Sequence, residues 1–406
     1  MAVATFPRQT WTTSGASRAL EGWLGSLRYV ATPLGRDPRL DLLRGFCVFA
    51  MIVDHIGGSS WLYYLTGGNR GPITAAEGFV FLSGLVLGMV SRKRVSRDGL
   101  KAAARATLHR ARTLYGLTVV LTVIFLALTA ATNLVLWVDR EQLGEIASWP
   151  ALLASVALIR FTWHGTDILA LYALLLLCAP VALWLMASGR PWHLLVGSVT
   201  LWLAYQFAPE RIVVPWTIEH ASTFPFAAWQ LLFVAALALG YYRAEVTAWF
   251  SQEAARPNTG RSFRLGLGVA ACGLLLLGAA LSTGQAYAMG TNLHALATSD
   301  LFDKSSLGLG RLAVFASVAL VVYAGLTAFW QPINRAVGWL LVPLGQASLY
   351  AYAVHLFLIL VAYNVPPYVG SDQAGWELHN TIGQLFLVLV VWAMVKRKVL
   401  FSLIPR

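Results

Sequence analysis

From residue 40 to residue 395 the chain returns repeatedly to runs of about twenty predominantly apolar residues, the length an α-helix needs to cross a bilayer. Of the 406 residues, 58% are hydrophobic and only 12% charged, too little charge to cover a water-facing surface of this size. The runs predict an all-α, polytopic transmembrane bundle of about ten spans. They are roughly residues 40–59, 74–91, 113–136, 167–187, 192–208, 222–242, 265–283, 311–330, 338–362 and 379–395. The run at 192–208 is short, and the ninth holds Pro343, Gly345, Gln346 and Ser348 at its centre. Residues 149–161 are apolar but too short to span, and read as an interfacial or re-entrant piece.

A net charge of +12 would suit a polyanionic partner, but its distribution argues for topology instead. With both termini cytoplasmic, Lys and Arg crowd residues 1–39, 92–112, 243–264 and 396–406. The outer loops then hold only Arg70, Arg140, Arg160, Arg211, Lys304 and Arg311. This asymmetry follows the positive-inside rule. It predicts a lipid bilayer as the chain's environment and no nucleic-acid partner. Residues 1–39 read as a cytoplasmic segment without the continuous apolar core of a secretory signal. Leu20, Trp23, Leu24 and Leu27 share one helical face, which suits a short interfacial helix, with a disordered tail as the alternative. Residues 40–395 form one transmembrane domain, and 396–406 a basic cytoplasmic tail. Cys47, Cys178 and Cys272 all lie in apolar spans, with neither a disulfide framework nor metal-ligand spacing. No metal and no tightly bound cofactor is expected.

Ionisable groups inside a bilayer are costly and therefore informative. Span one carries Asp41, Arg44, Asp54 and His55, and span two opens with Glu77. From Arg44 to His55 the helix turns through ~1100°, three turns plus about 20°, so the two share a face ~16 Å apart along the axis. Arg44 then lies near the inner side and His55 toward the outer side. Span two runs back inward, which puts Glu77 at the level of His55, with Gly84 and Gly88 below it on a stripe that allows close helix packing. A histidine beside a carboxylate is suited to drawing a proton off a hydroxyl. Other readings stand beside this one. Arg44 and Asp41 could form a structural ion pair with a snorkelling arginine. His55 and Asp54 could be a packing pair, or, with Glu77, the proton relay of a transporter or flippase for a sugar or lipid-linked substrate. Asp167 opens span four, where it could bind hydroxyls or simply complement the helix dipole.

These residues resemble the osmoregulated periplasmic glucan succinyltransferase family, within the wider group of integral-membrane acyltransferases. The likeness rests on R-D-x-R-L-D-x-x-R-G from Arg36 to Gly45, the Asp54-His55 pair, Thr66-x-x-Asn69, and A-A-E-G-F-V-F-L-S-G from Ala75 to Gly84. The segment from Thr166 to Tyr172 resembles the family's D-I-L-P-L-Y, with Ala170 in place of the proline. The segment from Phe224 to Phe233 resembles its N-P-F-A-W-Q-L-L-F, changed at the start. Asp303-Lys304 before Arg311, and Gly345-x-x-Ser348-Leu349-Tyr350, also agree. Arg44 and His55 satisfy an arginine, ten residues, histidine spacing of the wider group. His355 matches a late tyrosine-rich span of that group which ends in histidine.

The resemblance implies an O-acyltransferase domain in the inner membrane. The acyl group, succinyl favoured, would pass from cytosolic acyl-CoA to a hydroxyl of a periplasmic glucan or related glycan. On this reading His55 is the general base, with Asp54 or Glu77 orienting it. Arg44, with Asp41, holds the acyl-CoA donor. Asp167, Asn69, Trp229, Gln230 and His355 are the residues expected to meet the acceptor. Direct transfer and a transient acyl-enzyme both remain open.

Overall fold

The computed structural model describes residues 26–30, 36–69, 71–135, 148–218, 223–255, 260–280, 299–366 and 368–405, and every regular element among them is a helix. Leu20, Trp23 and Leu24 of the expected interfacial helix, and Arg70 and Arg140 of the outer loops, lie outside the described residues. Helix α1 (Pro38–Ile56) starts at Asp37, whose carboxylate accepts from the Arg39 backbone N–H, with Pro38 at the first helical position. Then come α2 (Ala75–Asp98), α3 (Leu100–Ala131), α4 (Trp149–Ala157), α5 (Asp167–Ala187), α6 (Pro191–Phe207), α7 (Phe226–Tyr241) and α8 (Arg243–Ala255). The longer helices that remain are α9 (Gly260–Ala280), α10 (Leu309–Ala328), α11 (Trp330–Gln346, with a π-turn at Asn334–Gly338), α12 (Ser348–Asn364) and α13 (Glu377–Lys396), beside single turns at Tyr63–Thr66 and Asp300–Phe302. The apolar piece at 149–161 becomes the short helix α4.

Each of the ten apolar runs holds a helix, but fewer qualify alone as spans. Among the described residues, α2, α3, α5, α10 and α13 are long and apolar enough to cross, and two bent pairs bring the number to seven at most. The pairs are α7 with α8, bent by 77°, and α11 with α12, bent by 92°. The expected all-helical membrane bundle is found, with five to seven candidate spans among the described residues rather than about ten. Helix α1 falls short because Arg39, Asp41, Arg44 and Asp54 interrupt it, and α6 because it has only 17 residues. The ninth run breaks at Ala347, after Pro343 and Gly345, where half-buried and buried neighbours can accept an interrupted helix. The basic stretch 92–112, expected as a loop, is helical. Its Ala-, Lys- and Arg-rich composition continues α2 to Asp98 and starts α3 at Leu100, with Gly99 (φ 84°) alone at the turn.

Two backbone crossings hold the centre. A Cβ on Gly45 would stand 1.9 Å from the Leu341 carbonyl oxygen, and one on Gly345 would stand 1.8 Å from that of Asp41, so α1 and α11 meet backbone to backbone. Gly345→Ala should therefore lose at least the ~1–3 kcal/mol of an overpacked core, read as a lower melting temperature in detergent. An unchanged melting temperature would mean that this crossing is looser than drawn. The second crossing joins α2 to α7. A Cβ on Gly88 would stand 2.1 Å from the Leu237 oxygen, and one on Gly240 would stand 2.0 Å from that of Leu85. The small-residue stripe of α2, with Gly84, thus serves α7 rather than α1.

At its start α1 is tied to α8 and α10. Asp37 accepts from Arg39 Nη2 at 2.8 Å and Arg243 Nη2 at 2.9 Å, and Arg39 Nη1 donates to the Thr327 hydroxyl at 2.6 Å. At its other end the carbonyls left without helical partners are taken by side chains of α12 and α13. Tyr363 Oη donates to Ile56 O at 2.7 Å, and Gln384 Nε2 to Gly57 O at 2.9 Å. Asn380 Nδ2 reaches Ser59 O at 2.8 Å. The last turn of α1, which carries Asp54 and His55, is thereby fixed in place.

Candidate active site

Several helix ends converge on a cavity of about 550 Å³. The last turn of α1 contributes Met51, Asp54, His55 and Gly57, and the start of α2 contributes Thr74, Ala75 and Ala76. The start of α5 adds His164, Gly165, Asp167 and Ile168, and the approach to α7 adds Thr223 and Phe224. Asn69, Lys304, Ser305, Tyr352 and Tyr363 complete the lining. Its size falls within the range of small-molecule sites, and the walls mix aromatic rings with a few convergent polar groups.

Four sequence-derived site residues share this cavity: His55, Asp54, Asn69 and Asp167. Nδ1 of His55 lies 3.0 Å from Nε2 of His355, with ring centroids 5.2 Å apart. The partner at this nitrogen is therefore the second histidine. Asp54 instead accepts from the Thr66 hydroxyl at 2.6 Å and from the backbone N–H of Asn69. Asn69 adopts a left-handed backbone (φ 59°), which asparagine tolerates, and its side-chain oxygen accepts from Lys304 Nζ at 3.0 Å. Asp167 is buried at the first position of α5 and accepts from the Ile168 N–H at 2.9 Å. The start of α5 is pinned by two contacts, Thr166 Oγ1 to Thr122 Oγ1 at 2.9 Å and Tyr352 Oη donating to Gly165 O.

Glu77 begins at the same level but is engaged elsewhere. One oxygen accepts from the Thr74 N–H at 2.8 Å and the Thr74 hydroxyl at 2.7 Å, a capping box at the start of α2. The other accepts from Arg311 Nε, and these two side chains are 1% and 4% exposed. A buried carboxylate needs such a partner to stay charged. The expected pairing of Glu77 with His55 is thus replaced by a buried ion pair with α10.

Farther along α1, Asp41 is gripped by Arg36 through Nε at 2.7 Å and Nη2 at 2.9 Å, not by Arg44. Arg44 Nε is buried with no hydrogen-bond partner among the described residues. Arg36 and Arg110 lie close enough to Arg44 for their positive charges to repel it, while the Asp41 carboxylate attracts it more strongly than Arg36 repels it. Trp229 and Gln230 stand apart from the cavity lining. Gln230 is committed to α6: its Oε1 accepts from Ser198 Oγ at 2.6 Å, and its Nε2 donates to Ser198 O at 2.9 Å. Trp229 is fully buried, and its ring meets that of the cavity-lining Phe224 edge-on at 4.8 Å.

Sequence reasoning left Lys304, His164 and Tyr352 without a role in the site. Lys304 sits over the Phe224 ring at 5.6 Å, and burial pushes its ammonium below the usual lysine range, with Glu77, Asp167 and Asp54 opposing that shift. One sequence signal pointed to it, a lysine beside Asp303 in the block that resembles the family. His164 and Tyr352 gave no local signal; each becomes meaningful only when α5 and α12 meet.

The arrangement joins two histidines, two carboxylates, an amide and an ammonium around one cavity. It can bind a polyhydroxylated group and take a proton from it. No curated protein matches the chain closely enough to be named as a relative. The family model for the OpgC protein matches residues 36–401, from the first motif arginine almost to the end, and the chain belongs to that family.

Proposed function

We propose that this protein is a multi-pass O-acyltransferase of the cytoplasmic membrane, moving an acyl group from cytosolic acyl-CoA to a hydroxyl of a periplasmic glucan or related glycan. Membership of the OpgC protein family, together with the apolar helices, is consistent with an acyltransferase in a membrane. The observation that carries the reading is His55 in the wall of the 550 Å³ cavity, with Asp54, Asn69 and Asp167 around it. A succinyl group is favoured by the family resemblance. Both termini are cytoplasmic in this proposal, which follows the loop charges and puts the cavity at the periplasmic end of α1.

His55 takes the proton of the glycan hydroxyl as its oxygen attacks the thioester carbonyl. The C–S bond breaks, CoA leaves as thiolate, and the proton held by His55 passes to it. Asp54, Asn69 and Asp167 hold other hydroxyls of the sugar. Asp41 is already neutralised by Arg36, so the donor's phosphates fall to Arg44, whose buried unpartnered Nε and arginine neighbours suit an anion. The transporter alternative loses one member of its relay, because Glu77 is bound to Arg311.

Incubation of purified protein with labelled acyl-CoAs and glucan tests the reading. Release of CoA with labelled glycan is expected, and movement of substrate without acylation would contradict it. In the same assay Arg44→Ala should raise the apparent KM for acyl-CoA by ~10-fold or more, about the 1.5–3 kcal/mol of a charged hydrogen bond. A well-folded Arg44→Ala protein with wild-type KM and turnover would leave Arg44 without a part in donor binding.

A further inference from the structure

The geometry points to His355 as the positioning residue of this chemistry: its imidazole fixes which nitrogen of His55 carries a proton and shares the charge His55 takes up. This rests on His55 being the general base. A backbone carbonyl only accepts, so the hydrogen bond between His355 Nδ1 and Tyr352 O puts a proton on that nitrogen. In a neutral imidazole the other nitrogen is then an acceptor. His355 Nε2 lies 3.0 Å from His55 Nδ1, so His55 donates from Nδ1 and carries its lone pair on Nε2. The reverse arrangement needs a resting imidazolium at a residue 1% exposed, whose polar partners are a carbonyl and another imidazole. A charge held so weakly is costly in an apolar interior.

The chain of bonds gives the second half of the role. When the glycan hydroxyl gives its proton to His55 Nε2, the new imidazolium already points its Nδ1–H at His355. His355 Nε2 accepts that hydrogen bond, and through its Nδ1–H on the Tyr352 carbonyl part of the new charge is spread along the chain. The proton leaves again when His55 Nε2 protonates the departing thiolate, so no proton is gained or lost overall. A neutral imidazole here does the orienting that a carboxylate does in a serine hydrolase triad. It suits a low-dielectric site, because no permanent charge has to be buried there. Tyr352, which supplies the carbonyl, is itself held to the start of α5 through its hydroxyl on Gly165 O.

Nitrogen NMR on protein with isotope-labelled histidine reads the tautomer directly, with His55 assigned by its disappearance in His55→Asn. Wild type should show His55 protonated at Nδ1 and bare at Nε2. His355→Ala should return His55 to the Nε2–H form and cut acylation turnover by ~10²-fold, the lower end of a positioned acid–base contribution, with the donor KM unchanged. His355→Gln offers Oε1 to the same N–H, so it should keep the tautomer and restore most of the turnover. If His355→Ala does not fold, the wild-type spectrum and the Gln variant carry the test. A wild-type His55 protonated only at Nε2 overturns the proposal. So does a Gln variant with no more turnover than a folded Ala variant. A tautomer that depends on His355, in a protein that turns over no acyl-CoA with any glycan, would sink the functional reading and leave the dyad standing.

Discussion

His55→Asn should lose glycan acylation by ~10²–10⁴-fold per folded molecule, the usual contribution of a positioned acid–base group. Asparagine keeps much of the volume of the imidazole and can bond to His355, so packing at the end of α1 should survive. It cannot accept a proton from a hydroxyl. Donor binding should persist as well, because Arg44 lies about three helical turns away, roughly 16 Å along the axis. A structural His55 predicts a different pattern: Ala lowers the melting temperature and Asn partly restores activity. Activity per folded molecule in both variants, with acyl-CoA binding measured separately, separates the two. A folded His55→Asn protein with near wild-type acylation would remove His55 from the chemistry.

Glu77→Ala should act on stability first. It strips the partner from a buried Arg311 and the acceptor from two donors of Thr74. Breaking one side of a buried ion pair typically costs about 3–5 kcal/mol, because the remaining charge is left uncompensated. Replacing both partners by apolar groups is often near neutral. The double variant Glu77→Leu with Arg311→Met should therefore recover most of the melting temperature lost in Glu77→Ala. If it also recovers acylation, Glu77 serves the fold. A double variant that melts like wild type yet acylates no glycan would return Glu77 to the catalytic group.

Much of this was legible because the bilayer imposes simple local rules. Runs of apolar residues located every long helix, and the eleven-residue step from Arg44 to His55 placed both on α1. The ninth run, read as a single span, breaks between α11 and α12 where Pro343, Gly345 and Ser348 sit at its centre. What the sequence hid depends on neighbours far along the chain. His355 is 300 residues from His55, and Arg311 is 234 from Glu77. Shared depth made Glu77 look like the partner of His55, although Thr74-x-x-Glu77 is itself the local pattern of a capping box. Depth alone does not say which neighbour a helix face meets. Gln230 misled for a related reason: it lies in a segment that resembles the family, yet its hydrogen bonds join α6 to α7. The charged helix α1 shows the same tension in reverse. Of the residues that disqualify it as a plain span, Asp54 is the one that reaches the cavity.

The most direct test of the account uses proteoliposomes with labelled acyl-CoA confined to the compartment facing the chain's termini and glucan confined to the other. The account predicts labelled glucan outside and free CoA inside in equal amounts, both lost in His55→Asn. Intact acyl-CoA or unmodified glucan crossing the bilayer, with no ester formed, would contradict it.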